Sequence, residues 1–165
     1  MALNTLNDLY VEQLRDLYSA ETQILKALPK MAETAKHPEL RQAFESHVAQ
    51  TEEHVRRLEG IFADLDIKPG GHHCKGMEGL LKEASDTVKE KGDSDVLDAA
   101  MIANAQRVEH YEIAGYGCVR TYARLLGRTQ DVTILQTTLD EEGDTDHKLT
   151  DMAERVINID AQAGS

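Results

Sequence analysis

Residues 107–117 read RVEHYEIAGYG. Small and apolar residues dominate the stretch, as on a helix face that packs against neighbours. Yet Glu109 and Glu112 stand three apart on one face, with no Lys or Arg beside them there. Extended in both directions, the same face reads Ile102, Ala105, Glu109, Glu112, Tyr116, Val119 and Ala123, alternating spacings of three and four. That is the inward stripe of a bundle helix, predicted over residues 95–126 with Ser94 as N-cap and Gly127 as its stop.

Three further stretches carry the same period. Over 6–35 the stripe is Tyr10, Leu14, Leu17, Glu21, Ile24, Leu28 and Met31, with Pro29 expected to kink or loosen the last turns. Over 38–63 it is Leu40, Phe44, His47, Thr51, His54, Leu58 and Ile61, and Pro38 suits the first turn. Over 130–159 it is Leu135, Leu139, Glu142, Asp146, Leu149, Ala153 and Val156, followed by a tail, AQAGS, expected to fray. Between the second and third long helices lie KPGGHHCKG (68–76), read as a surface connection, and a short amphipathic helix ending at Gly92. Two short-linked helix pairs joined by a long crossover containing a short extra helix predict an all-α, ferritin-like four-helix bundle, with residues 1–165 as one domain.

Composition narrows the function classes. The 165 residues carry a formal charge of −12, which argues against nucleic acid and anionic membranes as partners. No stretch approaches the ~18 consecutive apolar residues of a membrane span, and MALNTLNDLYVEQL lacks the features of a signal peptide. Cys74 and Cys118 do not make a disulfide framework, so a cytoplasmic chain with free thiols is expected.

Each stripe is interrupted by polar residues near its middle. Antiparallel pairing puts Glu21 opposite about residue 51, and Glu109 and Glu112 opposite about 144–147, so the breaks fall in one layer. Five acids gathered in a dry layer need compensation, and no Lys or Arg lies on the stripes at that level. Two metal ions would supply it. Carboxylates with imidazoles and no thiolate favour iron or manganese. The candidate ligands are Glu21, Glu109, Glu112, Glu142 and Asp146, with His47, Gln50 and His54 from the second helix. His54 and Gln50 form an i, i+4 pair, whereas His47 is equally readable as a core histidine bonded to a carbonyl. Tyr116 could hydrogen-bond a ligand, and His110 and His147 point away as outer partners. His72, His73 and Cys74 make only a weak second metal pattern and read as a flexible loop with a free thiol.

Three stretches, LYSAETQILKALPKM (17–31), KGMEGLLKEA (75–84) and AQRVEHYEIAGYG (105–117), resemble the bacterial YciF-like stress proteins, a branch of the ferritin-like superfamily. The resemblance covers nearly the whole chain. It implies a rubrerythrin-like bundle, usually a homodimer, with a dinuclear site, and it implies Glu21, Glu109, Glu112, Glu142 and Asp146 as ligand acids. The departure lies in HVAQTEEHVRRLE (47–59), where relatives commonly carry two acids or Glu-Gln before the Thr. Here Ala49 and Gln50 stand there, so one carboxylate ligand is lost or replaced, with His54 able to compensate. The expected function is a stress-associated di-metal oxidoreductase handling a small oxidant such as peroxide or dioxygen. The alternatives are a non-catalytic metal-binding or storage protein and a metal-depleted interaction module.

Overall fold

The computed structural model describes residues 3–164; residues 1, 2 and 165 of the span read as one domain lie outside it. Helix α1 (Leu6–Thr34) starts at a capping box. The Thr5 hydroxyl accepts from Asp8 N at 3.1 Å, and the Asp8 carboxylate accepts from Thr5 N at 2.9 Å. Pro29 does not end α1, which continues to Thr34. Its ring has no N–H to give the helical ladder at that position.

Helix α2 (Pro38–Asp64) begins with Pro38 at its first position. The turn between α1 and α2 is held from across the bundle. Asp98, buried, accepts from Lys36 N at 3.0 Å and His37 N at 2.7 Å. Helix α3 (Lys75–Lys89) is the short crossover helix. Helix α4 (Ser94–Leu125) is capped by the Asp93 carboxylate and not by Ser94, since Asp93 accepts from Asp95 N and Val96 N. The longer Asp side chain reaches two free N–H groups from one residue further back. Gly127, at φ 74°, turns the chain into α5 (Thr129–Met152). A single π turn, Ala153–Ile157, joins α5 to α6 (Asn158–Ala163). The expected frayed tail is therefore helical as far as Ala163, and Ser165 is not described.

The helices form a four-helix bundle. α1 pairs with α2 and α4 with α5, α1 also packs on α4 and α2 on α5, and α3 lies against α1 and α4. No strand occurs among the described residues, and no helix there is long and apolar enough to cross a membrane. All seven stripe positions of each of α1, α2 and α4 are buried. On α5 the stripe departs from a strict period. Leu139, Asp146 and Val156 are only half-buried, while Thr138, Met152 and Ile157 are buried. The π turn inserts an extra residue and moves the inward position from Val156 to Ile157.

Cys74 corrects the expectation of a flexible thiol loop. Its side chain is buried, its sulfur caps α3 by accepting from Met77 N, and its N–H donates to Ser19 Oγ at 2.9 Å. The thiol donates to Asp16 at 3.2 Å, and the Tyr111 hydroxyl, 2.9 Å from the sulfur, donates to the same carboxylate at 2.6 Å. His72 lies 3.0 Å from the other Asp16 oxygen. Burial pushes the Cys74 thiol above its ordinary range, so it stays protonated.

The apolar core falls into two parts. One contains Tyr10, Leu14, Leu17, Leu58, Phe62, Tyr116 and Leu135, and the other Ile24, Leu28, Phe44, Ile102, Leu149 and Met152. Between them lies the polar level of every stripe. Gly115 lets α1 and α4 approach, because a Cβ there would stand 2.7 Å from Leu17 Cδ2. Gly143 on α5 has open space instead. Gly143→Ala should therefore raise stability by about 0.5–1 kcal/mol through helix propensity, whereas overpacking at Gly115→Ala should reverse that gain and lower stability by about 1 kcal/mol. Urea midpoints of the two variants check the sign, and stabilisation by both would contradict the close α1–α4 contact.

Candidate metal centre

Helical spacing alone brings the polar level together. Glu21 lies one turn beyond Leu17, His47 and His54 lie two turns apart on α2, and Glu109 and Glu112 follow each other on α4. Glu142 completes the group from α5. All six side chains are buried, Glu21, His54, Glu112 and Glu142 completely. One ligand atom from each of His47, Glu109, Glu112 and Glu142 lies within 4.8 Å of the others, and Glu21, His54 and Glu142 form a second such group. Glu142 belongs to both.

The distances are short, but the hydrogen bonds are missing. His54 Nδ1 lies 3.1 Å from Glu142 Oε1 and 3.3 Å from Glu21 Oε1, and His47 Nε2 lies 3.4 Å from Glu109 Oε1. Neither ring nitrogen has hydrogen-bond geometry to any partner. Eleven buried side-chain atoms among the described residues lack a partner, and eight of them belong to these six residues, including both oxygens of Glu112 and of Glu142. Buried polar atoms are nearly always satisfied, so this concentration marks the place where something other than protein completes the bonding. Acceptor oxygens and imidazole nitrogens around shared points fit a cation, and the His/Glu group could hold one.

The electrostatics agree with that fit. Burial, followed by repulsion from Glu142, holds Glu109 well above the usual carboxylate range, and burial with Glu142 and Glu21 does the same to Glu112. Burial raises Glu21 against the opposing attraction of the His54 ring, 3.3 Å away. Burial disfavours the charged His54 ring, but the Glu142 and Glu21 carboxylates outweigh it and push that group up to about 11. Without a metal ion, the layer is thus compensated by protons.

The outer contacts orient the inner ones. Gln50 stands against His47. Its amide oxygen lies 3.3 Å from His47 Nδ1 and accepts from Thr145 Oγ1 at 3.4 Å. In that arrangement His47 donates from Nδ1 and keeps the Nε2 lone pair free. His54 Nε2 lies 2.9 Å from Glu141, which Arg57 grips through two bonds of 2.6 and 3.1 Å. Arg57 in turn holds the Glu141 carboxyl below the usual range. The Tyr116 hydroxyl, whose pKa burial raises well above its ordinary value, donates to Glu21.

Asp146 stands apart from the six. It accepts from Gln106 at 3.0 Å, lies 3.3 Å from His110 Nε2, and is partly exposed. Four residues advance a helix by about 400°, which rotates Asp146 some 40° from Glu142 toward the α4 flank. His147 bonds only Gly143 O, and Thr51 is buried at the same level with an unbonded hydroxyl. Glu141 and Arg57 were not anticipated from sequence. The usable signal was an acid directly before Glu142 and an Arg three residues after His54.

Raised carboxylates give a stability signature. Above about 4.5, the ordinary glutamate value, the folded chain holds protons that the unfolded chain has released. Stability of protein stripped of metal must therefore fall as pH rises. His54 acts in the same direction from 6.5 up to about 11. Denaturation midpoints between about pH 5 and pH 8 should decrease with pH in chelated protein and flatten once metal replaces the protons. A rising midpoint in chelated protein would contradict the buried-acid arrangement.

Residues 5–162 match the family described as a domain of unknown function, DUF892. Protein YciF of Escherichia coli K12 is 39% identical over 163 residues, 98% of each chain. The crystal structure of the E. coli stress protein YciF superposes with a TM-score of 0.90 at 40% identity, covering 94% of this chain and 98% of that one. YcfI from Rhodopseudomonas palustris gives 0.87 at 47% identity, covering 90% and 94%. A Xanthomonas campestris protein with 19% identity and a TM-score of 0.77, covering 97% and 99%, shares the fold. With the match running over nearly its whole length, this chain belongs to the DUF892 family and is a homologue of the stress protein YciF.

Proposed function

We propose that this chain is a stress-associated protein whose bundle interior binds two metal ions, iron or manganese, and acts on a small oxidant such as peroxide or dioxygen. The observation that carries the reading is the set of eight unbonded buried atoms arranged in two ligand groups that share Glu142. On this reading Glu21 and His54 serve one ion, His47, Glu109 and Glu112 the other, and Glu142 both. Gln50 and Asp146 move to supporting places, Gln50 behind His47 and Asp146 on the α4 flank. The likeness to YciF supports the stress association.

When bound, such a pair of ions supplies electron exchange with the oxidant. The protein does the rest. Gln50 and the Glu141–Arg57 pair fix the two imidazoles, Tyr116 holds one oxygen of Glu21, and the two apolar cores flank a layer in which Glu21, His54, Glu112 and Glu142 are completely buried. Glu112 has both oxygens without hydrogen bonds, which suits it to take and return a proton during turnover.

Elemental analysis should find about two metal ions per chain, and Glu142→Gln should remove at least one of them because it serves both groups. Peroxide decay followed at constant metal concentration should slow by about tenfold or more in that variant. Protein that binds neither iron nor manganese and shows no peroxide turnover with either would overturn the reading.

A further inference from the structure

The interior beside the candidate centre is not filled. A cavity of about 600 Å³ opens between α2 and α5 and runs into the bundle as far as α1, α3 and α4. Leu28, Met31, Phe44, Val108, Leu149 and Met152 supply its apolar walls. The space is written into the sequence, because Ala27, Ala43, Ala84 and Ala105 stand on its lining. Ala105 occupies a stripe position between Ile102 and Glu109 where a larger residue would close it. The helices leave this space open to the surface instead of packing it to the density of a closed interior. Its volume falls within the ~300–1,000 Å³ of small-molecule sites.

The two ends of the cavity differ in chemistry. The inner end is formed by His47 and Glu109, both buried, each with an atom lacking a hydrogen-bond partner: His47 Nε2 and Glu109 Oε2. The outer end carries Glu39, Lys148 and Asp151. Arg155 spans this mouth, bonding Glu39 on α2 at 2.6 Å and Asp151 on α5 at 3.4 Å. It does so from the π turn, so the irregular turn of the helix sits where the cavity opens.

The geometry points to a binding site for a neutral, largely aliphatic small molecule, its body among the apolar walls and its one polar end directed at His47 and Glu109. A neutral head suits the apolar walls and a mouth where Arg155 and Lys148 balance Glu39 and Asp151. The cavity stands on its own packing. Only the approach of the polar end to bound metal rests on the proposed centre.

The probe is N-phenyl-1-naphthylamine, a neutral fluorophore that brightens in apolar surroundings, with 1-decanol as competitor. Chelated protein should bind it saturably, one per chain, and 1-decanol should displace it. Ala105→Phe and Ala43→Phe should each weaken binding about tenfold or more at unchanged helical circular dichroism, Ala43→Phe deciding if the deeper variant does not fold. In protein loaded with cobalt(II), 1-decanol should shift the visible bands and decane should not. Absence of saturable binding, unchanged affinity in both variants, or affinity that falls as rising protein concentration pairs the copies would overturn the site. Cobalt bands indifferent to 1-decanol would overturn the orientation. Failure to bind cobalt at all would count against the metal centre and leave the fluorescence result to judge the cavity.

Discussion

Four carboxylates buried in one layer of a helical bundle are the constraint on which the rest of the molecule depends. Burying an ionised carboxylate disfavours it by several kcal/mol even after relaxation, and Glu21, Glu109, Glu112 and Glu142 share one small volume. Their repulsion is offset by neighbours arranged in tiers. His54 sits between Glu21 and Glu142, and Arg57 stands one step behind it through Glu141. Apolar packing on both sides keeps the layer in register, with Leu14 and Leu17 on one side and Ile24 and Leu28 on the other for α1 alone. The bundle is stable because of those two cores and in spite of the layer between them. Residues held against stability in this way mark a functional site more reliably than the fold does.

Much of this was legible in the sequence, for a reason specific to helices. A period of 3.6 residues fixes which side chains share a face, and α1, α2 and α4 follow it without interruption. Glu109 and Glu112 were therefore readable as buried, and Glu21, His47, His54 and Glu142 as their neighbours. Asp146 shows where the rule weakens. A spacing of four drifts around the helix, and the drift takes Asp146 to Gln106 and His110. The π turn shows where it fails, since one extra residue exchanges Val156 for Ile157.

Contacts that depend on side-chain direction were less accessible. Gln50 is an amide oxygen at the right level, but whether it faces the centre or backs His47 is decided by the ring orientation. Cys74 lies in a Gly-rich stretch that reads as a mobile surface, and Ser19, Asp16 and Tyr111 instead draw it inward. Those partners come from positions 55, 58 and 37 residues away, a separation that no local pattern encodes. Four alanines lining a cavity are likewise unremarkable one by one and acquire meaning only when the helices are assembled.

The six buried side chains of the layer, which could hold metal, are proposed to take two cations with Glu142 serving both. Anomalous diffraction at the iron edge, from crystals grown with iron(II), tests it most directly. Two peaks should appear within the bundle, one beside Glu21 and His54 and the other beside His47, Glu109 and Glu112, with Glu142 between them. Anomalous density confined to the surface, for instance at His110 and Asp146, with none in the buried layer, would contradict the account.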